Sequence, residues 1–187
     1  MCRELSQTRP VHTLSTQPLL IEKLATRRLT LIPYTIPLCE AILKDDFSAL
    51  YKLGLKKGRS WPDADVIDTL PRIINNLSKV PAPTGFESWM IIKSDTLEII
   101  GDAGFKGLDL HTGIIDLGYG IIKEERKKGY AYEAVDALIT WAFSAEFITE
   151  ITASCLVKNT ASINLLRKAN FVETKFDDEL VSWSLSK

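Results

Sequence analysis

Histidine is scarce in this chain: His12 and His111 are the only two among 187 residues. A multi-histidine metal site is not expected from so few imidazoles. The three cysteines, Cys2, Cys39 and Cys155, are odd in number and far apart. That argues against a disulfide framework or a cysteine metal cluster and fits a reducing compartment. Long apolar runs are absent, as is a charged, apolar and small-residue leader pattern, so no membrane partner is expected and the cytoplasm is the expected location. Charge of one sign is lacking too. With 23 Lys and Arg against 24 Asp and Glu, the net charge is −1, and no basic excess is available to displace counterions from a nucleic acid. Two phosphate signatures are missing as well. No glycine-lysine-serine/threonine run marks a nucleoside-triphosphate loop, and no Gly-x-Gly-x-x-Gly marks a dinucleotide fold.

What remains is an ordinary globular composition, 45% hydrophobic and 25% charged, at a length suited to one domain. Residues 1–24 are polar and aperiodic and read as a loosely ordered arm, with the domain over 25–187. Leu29 and Leu31 open a first strand closed by Pro33. Two short helices fit residues 36–57, interrupted near Asp45-Asp46. A helix starts at Trp61-Pro62-Asp63, and Pro71 inside it predicts a kink or break. Three strand-like runs follow, Trp89–Ile92, Leu97–Phe105 and Ile114–Ile122, with a hairpin turn at Lys93-Ser94-Asp95. Helix 130–146, strand 150–157, helix 159–169 and a strand pair around 171–185 complete the pattern. A helix joining two strands predicts a parallel crossover. The expected fold is therefore α/β (α+β), with a mixed sheet.

The most informative stretch is Arg126-Lys127-Lys128-Gly129-Tyr130-Ala131, between a strand and an amphipathic helix. A tight glycine turn at a helix start presents free N–H groups to an anion, and the cations add a local positive field. With both nucleotide motifs missing, this turn suggests a phosphate-bearing cofactor such as coenzyme A. Cys155, alone on a strand, reads as packing rather than as a nucleophile. Tyr119, Trp89, Trp141 and Trp183 read as core or sheet-surface aromatics.

Arg126-x-x-Gly129-x-Ala131 resembles the signature of the GNAT superfamily of acyl-CoA-dependent N-acetyltransferases. Gly118-Tyr119-Gly120-Ile121-Ile122 precedes it as that family's fourth strand does. The run from Asn159-Thr160-Ala161-Ser162 to Phe171 is similar to the element after the fifth strand, and Thr26-Arg27-Arg28-Leu29 resembles the opening of the Rim-type, ribosomal-protein acetyltransferase branch. The resemblance covers residues 26 to 185. It implies a mostly antiparallel sheet of about seven strands, splayed between the fourth and fifth and flanked by helices. It also implies an acetyl group moved from acetyl-CoA to a primary amine, in a protein N-terminus or a small molecule, by direct attack in a ternary complex. A homodimer is a further expected partner, since relatives often dimerise.

Residue by residue, the resemblance implies pyrophosphate on the amides around Lys128, Gly129, Tyr130 and Ala131, with charge from Arg126 and Lys127. Backbone groups of Gly120, Ile121 and Ile122 would meet the pantetheine arm, and the side chain of Asn159 would add a contact beside its helix-capping role. Asp116 takes the place of the glutamate proposed as base in Rim-type relatives, one methylene shorter, and Asp102 on the preceding strand is its rival. Where many relatives carry a proton-donating tyrosine, this chain has Leu166. Ser162 is the alternative donor to the departing thiolate. Asn170 replaces the usual glycine before Phe171 and tolerates a left-handed turn. Trp61, in the helical insert that shapes acceptor pockets, is the substrate-site candidate. The missing tyrosine and the short Asp116 also motivate an alternative reading, a noncatalytic acyl-CoA-binding or regulatory module on the same fold.

Overall fold

Alternate burial of Leu29 and Leu31 fixes which way the first long strand faces, and the rest of the sheet follows from that register. The computed structural model describes residues 23–108 and 111–187. The expected arm falls on 1–22, outside the described residues, apart from Lys23 and Leu24, and Leu24 already pairs with Leu31. Nine strands are described: β1 (Leu24–Ala25), β2 (Leu29–Pro33), β3 (Lys56–Lys57), β4 (Ser88–Lys93), β5 (Glu98–Phe105), β6 (Ile114–Ile121), β7 (Glu150–Leu156), β8 (Val172–Phe176) and β9 (Leu180–Ser186). They form one sheet in the order β1-β2-β4-β5-β6-β7-β9-β8, with β3 joined to β5. The seven longer strands are those read from the sequence. The two extra ones are two-residue pairings with no periodicity to find. All pairings are antiparallel except β6 with β7 and β3 with β5.

Among the described residues five α-helices flank the sheet: α1 (Ile36–Leu43), α2 (Ser48–Lys52), α3 (Ala64–Leu77), α4 (Tyr130–Ser144) and α5 (Thr160–Lys168). The ring of Phe105 stacks on Trp141 of α4 at 6.3 Å, so odd positions of β5 face α4. Strand alternation then turns Asp102 and Gly104 the other way, toward α3. α5 shares the α4 face, because Lys168 lies over the Tyr132 ring at 4.1 Å and Arg167 over Trp183 at 5.7 Å. No helix among the described residues is long and apolar enough to cross a membrane.

The break allowed for at Pro71 does not occur, and α3 runs unbroken through it. Its start is capped by Asp63, which accepts from the Val66 amide at 3.1 Å, and it buries Val66, Leu70, Ile73 and Leu77. Burying several such side chains at about 1.5–3 kcal/mol each outweighs the roughly 3 kcal/mol that an internal proline costs. Replacing the exposed Pro71 by alanine should therefore raise the unfolding free energy by about 1–3 kcal/mol, read by urea denaturation.

Candidate functional site

Pairing between β6 and β7 stops at Leu117 and Ala153, although β6 continues to Ile121 and β7 to Leu156. Beyond that point the strands part. Along β6 the hydrogen-bond alternation is set by Lys106 N–H donating to the Asp116 carbonyl and Ile122 N–H to that of Ile100. Even positions therefore bond β5, and the backbone groups of Tyr119 and Ile121 point into the opening. On β7, Val157 N–H reaches the Glu179 carbonyl on the β9 side and Lys187 N–H reaches that of Thr149. Ser154 and Leu156 thus border the opening from the other side. The Ile121 carbonyl accepts from Arg126 Nε at 2.8 Å, and that of Leu156 accepts from the Asn159 amide at 2.8 Å. The Ile122 N–H is therefore committed to β5, and the same alternation turns the backbone groups of Gly120 toward β5, so of the three residues read from the sequence only Ile121 faces the opening, beside Tyr119 and across from Ser154.

A cleft of about 480 Å³ passes through this opening. On one side of the sheet it is walled by α3 through Asp65, Asp68, Thr69 and Arg72, and by Asp102, Gly104 and Gly118 from the strands. On the other it meets Tyr119, Cys155, Ser162, Leu166 and Asn159. Asp102 lies in register with Gly120, and its Oδ1 sits 3.7 Å from where a β-carbon on Gly120 would be. Burial pushes the Asp102 carboxyl up to about 7, helped by repulsion from Asp63 and Asp65 and opposed by Arg72. A carboxylate poised near neutral pH in a cleft is chemically suited to take a proton. Asp116 lies one step outside this wall, with its Oδ2 bound by Lys106 Nζ at 2.5 Å.

On the α5 side, the Tyr119 hydroxyl donates to the Ser162 carbonyl at 3.4 Å, and burial raises its phenol to about 12. Ser162 itself sits in the first turn of α5, its amide held by Asn159 Oδ1 at 3.1 Å, so the capping role read for Asn159 is present. Leu166 is buried in the cleft wall one turn further on. Asn170 ends this helix with φ of 65°, the left-handed turn expected of it. Trp61 is elsewhere. It is 1% exposed, packs edge-on against Phe47 at 6.2 Å and lines a separate hollow beside Lys57 and Ile67. The sequence reading of it as an acceptor contact is corrected on this point, because its indole is core.

The glycine turn follows β6 and is tied to its end by Arg126 Nε on the Ile121 carbonyl. Gly129 has φ of 84° and caps α4, and Lys127 is also left-handed at 62°. Among the described residues, no acceptor takes the backbone N–H groups of Lys127 to Tyr132, and the first helical bond is Glu133 N–H to the Gly129 carbonyl. This row of free donors, at the positive end of α4, is a cradle for anionic oxygens. Lys128 pairs with Glu125 at 2.9 Å, while Lys127 is exposed. No group of three or more His, Cys, Asp or Glu among the described residues is arranged to hold a metal ion.

Comparison with known proteins agrees with this geometry. Residues 28–172 match the acetyltransferase (GNAT) domain family. The chain is 38% identical over 160 residues to a Bacillus subtilis (strain 168) protein named uncharacterized N-acetyltransferase YjdG, covering 86% of this chain and 95% of that one. Among solved structures, RimL, a ribosomal L7/L12 alpha-N-protein acetyltransferase in complex with coenzyme A, superposes with a TM-score of 0.61 at 14% identity, covering 86% of this chain and 95% of that chain. The microcin C7 self-immunity acetyltransferase MccE, in complex with acetyl-CoA and AMP, gives 0.59 at 14% identity, covering 87% and 94%. At such identities the likeness is one of fold.

Proposed function

This chain belongs to the GNAT acetyltransferase family and is an acyl-CoA-dependent N-acetyltransferase; we propose that it acetylates a primary amine, in a small molecule or a protein N-terminus, with Asp102 as the general base. The observation that carries this reading is the coincidence in one cleft of a neutral-range carboxylate with an unpaired strand edge that leads to the free amides of 127–131. Acetyl-CoA fits these features by its charge and shape, and supplies the acetyl thioester.

The chain's own groups then have distinct tasks. The amides from Lys127 to Ala131 would hold the pyrophosphate, with Arg126 and Lys127 adding charge. The strand edge at Tyr119 and Ile121 would offer its unpaired backbone groups to the pantetheine arm, and a backbone N–H there is suited to polarise the carbonyl under attack. Asp102 takes the proton from the ammonium group, directly or through a water, so that the free amine can attack. Ser162 stands on the α5 side as the hydrogen-bond donor for sulfur, and the Tyr119 hydroxyl, whose one proton goes to the Ser162 carbonyl, borders it. Asp116, held by Lys106, serves to orient that edge of the strand.

Incubation with acetyl-CoA and a panel of amines and peptides, followed by free-thiol release, tests the reading. Turnover on at least one primary amine is expected, and thermal stabilisation by coenzyme A should accompany it. Absence of both would remove the proposal. In the same assay Asp116→Asn should change kcat/KM by less than about threefold, as for an exposed ion pair of small net value. A loss of a hundredfold would restore Asp116 as the base.

A further inference from the structure

The motif Thr26-Arg27-Arg28-Leu29 has no place in the chemistry above, although it stands at the entrance to the domain. Its alternation gives the reason for its spacing: Leu29 is fully buried, Arg27 is exposed, and Arg28 lies between them in accessibility. Because β2 runs beside α4, the Arg28 side chain reaches a turn a hundred residues away in sequence. Its Nε donates to Glu133 Oε2 at 2.7 Å, its Nη1 to the Lys128 carbonyl at 3.0 Å, and its guanidinium carbon lies 4.5 Å from the centre of the Tyr130 ring. The third nitrogen, Nη2, sits 3.4 Å from where a β-carbon on Gly129 would be. The guanidinium therefore touches Lys128 and Tyr130 and passes beside Gly129 between them.

Its anchor is equally well held. Glu133 Oε1 accepts from the Arg28 amide at 2.8 Å and from Thr26 Oγ1 at 2.6 Å, while Oε2 accepts from Nε. Burial alone would raise the Glu133 carboxyl, but the hydrogen bonds from Thr26 and Arg28 outweigh it and hold the group below its ordinary value. Glu133 is also the residue whose own N–H makes the first helical bond of α4. One carboxylate thus ties the helix start, the strand β2 and the arginine together.

We propose that Arg28 is a positioning residue that holds the 127–131 turn in its anion-receiving shape, with Thr26 and Glu133 as its anchor. Left-handed Lys127 holds a backbone conformation that a side-chain-bearing residue does not favour, and Gly129, which accepts positive φ freely, imposes no single shape on the turn. The bond to the Lys128 carbonyl and the ring contact at Tyr130 clamp the residues on either side of Gly129. The flat, forked guanidinium can make these contacts at once, and a lysine ammonium cannot.

This inference rests on the reading of that turn as the coenzyme A phosphate site, and the experiment separates the two. Dissociation constants for coenzyme A are measured by calorimetry on the wild type, Arg28→Ala and Arg28→Lys, with circular dichroism melts on each. Steady-state kinetics are run with acetyl-CoA and with S-acetylpantetheine, a donor lacking the phosphates. Arg28→Ala should weaken coenzyme A binding on the order of tenfold, the size expected for losing a charge-assisted hydrogen bond. Arg28→Lys should fall in between. kcat at saturating acetyl-CoA should stay within about twofold, because Arg28 touches none of the reacting groups. With S-acetylpantetheine, wild type and variants should have equal kcat/KM. Equal loss with both donors would identify a general structural role and overturn the proposal, as would unchanged coenzyme A affinity in Arg28→Ala. Should Arg28→Ala melt too low to measure, the same comparison is made on Arg28→Lys. Failure of the wild type to bind coenzyme A would overturn the cofactor reading and this inference with it.

Discussion

Asp102→Asn is expected to lower kcat/KM by about 10²–10⁴, the range over which a positioned general base contributes. The substitution keeps the shape of the side chain and removes only its ability to take a proton. In the wild type, kcat/KM should rise with pH through about 7, where Asp102 ionises, and the limb that belongs to this carboxylate should vanish in the variant. The same substitution should stabilise the protein. Burial and the neighbouring Asp63 and Asp65 raise the folded-state pKa of Asp102 from an ordinary 3.8 to about 7, so between those values the folded state holds a proton that the unfolded state has lost. Wild-type stability must then fall as pH rises through that window and level off above it. Asparagine has no such slope. The gain in melting temperature of Asp102→Asn over wild type should grow from about pH 4 to pH 7 and persist at pH 9. Loss of activity together with a gain in stability is a result that simple damage to the fold does not give. An active Asp102→Asn enzyme would remove this residue from the mechanism.

The choice between Asp102 and Asp116 also marks where sequence alone runs out. Both lie on strands of the meander, and the alternation of those strands is plain in the sequence, so the sheet, its crossover and its helices could be read nearly to their ends. What alternation does not carry is which lysine stands beside which carboxylate. Lys106 comes from the end of β5 and neutralises Asp116, while among the described residues no ion pair forms at Asp102, on which Arg72 acts only through its charge. Trp61 misled for a related reason. Its position beside the helix-capping Asp63 was correctly read as a helix start, but the direction of its indole, edge-on to Phe47, depends on the packing of α1 and α2. The parting of β6 and β7 was an expectation drawn from resemblance. Its physical trace lies in the glycines of β6, Gly118 and Gly120, which leave open the surface that ordinary strand residues would fill. Arg28 was visible as part of a motif, yet its task is legible only once β2 and α4 are neighbours.

Those glycines support a second large effect. A β-carbon built on Gly118 meets no heavy atom within 4 Å, and its φ lies outside the left-handed range that penalises a side chain. Valine at this place should be accepted by the folded chain. Its β-branch suits an extended backbone, and removing glycine narrows the unfolded ensemble, so stability should hold or rise by about 0.4–1 kcal/mol. Function should not survive so well. Gly118 lines the cleft directly, on the same face as Asp102 and one strand away from it, so two added methyl groups project into the space where amine and acetyl group must meet. An attack geometry held to a few tenths of an ångström cannot absorb that intrusion, and misplacement of about 1 Å is enough for a hundredfold loss. Gly118→Val should therefore lose at least about a hundredfold in kcat/KM for the amine, while its melting temperature is unchanged or higher. The binding of coenzyme A through the 127–131 turn is expected to weaken far less than turnover, since those amides lie at the other end of the site. Full activity in Gly118→Val would mean that the reacting groups pass elsewhere, and the cleft between β6 and β7 would lose its claim to be the place of acetyl transfer.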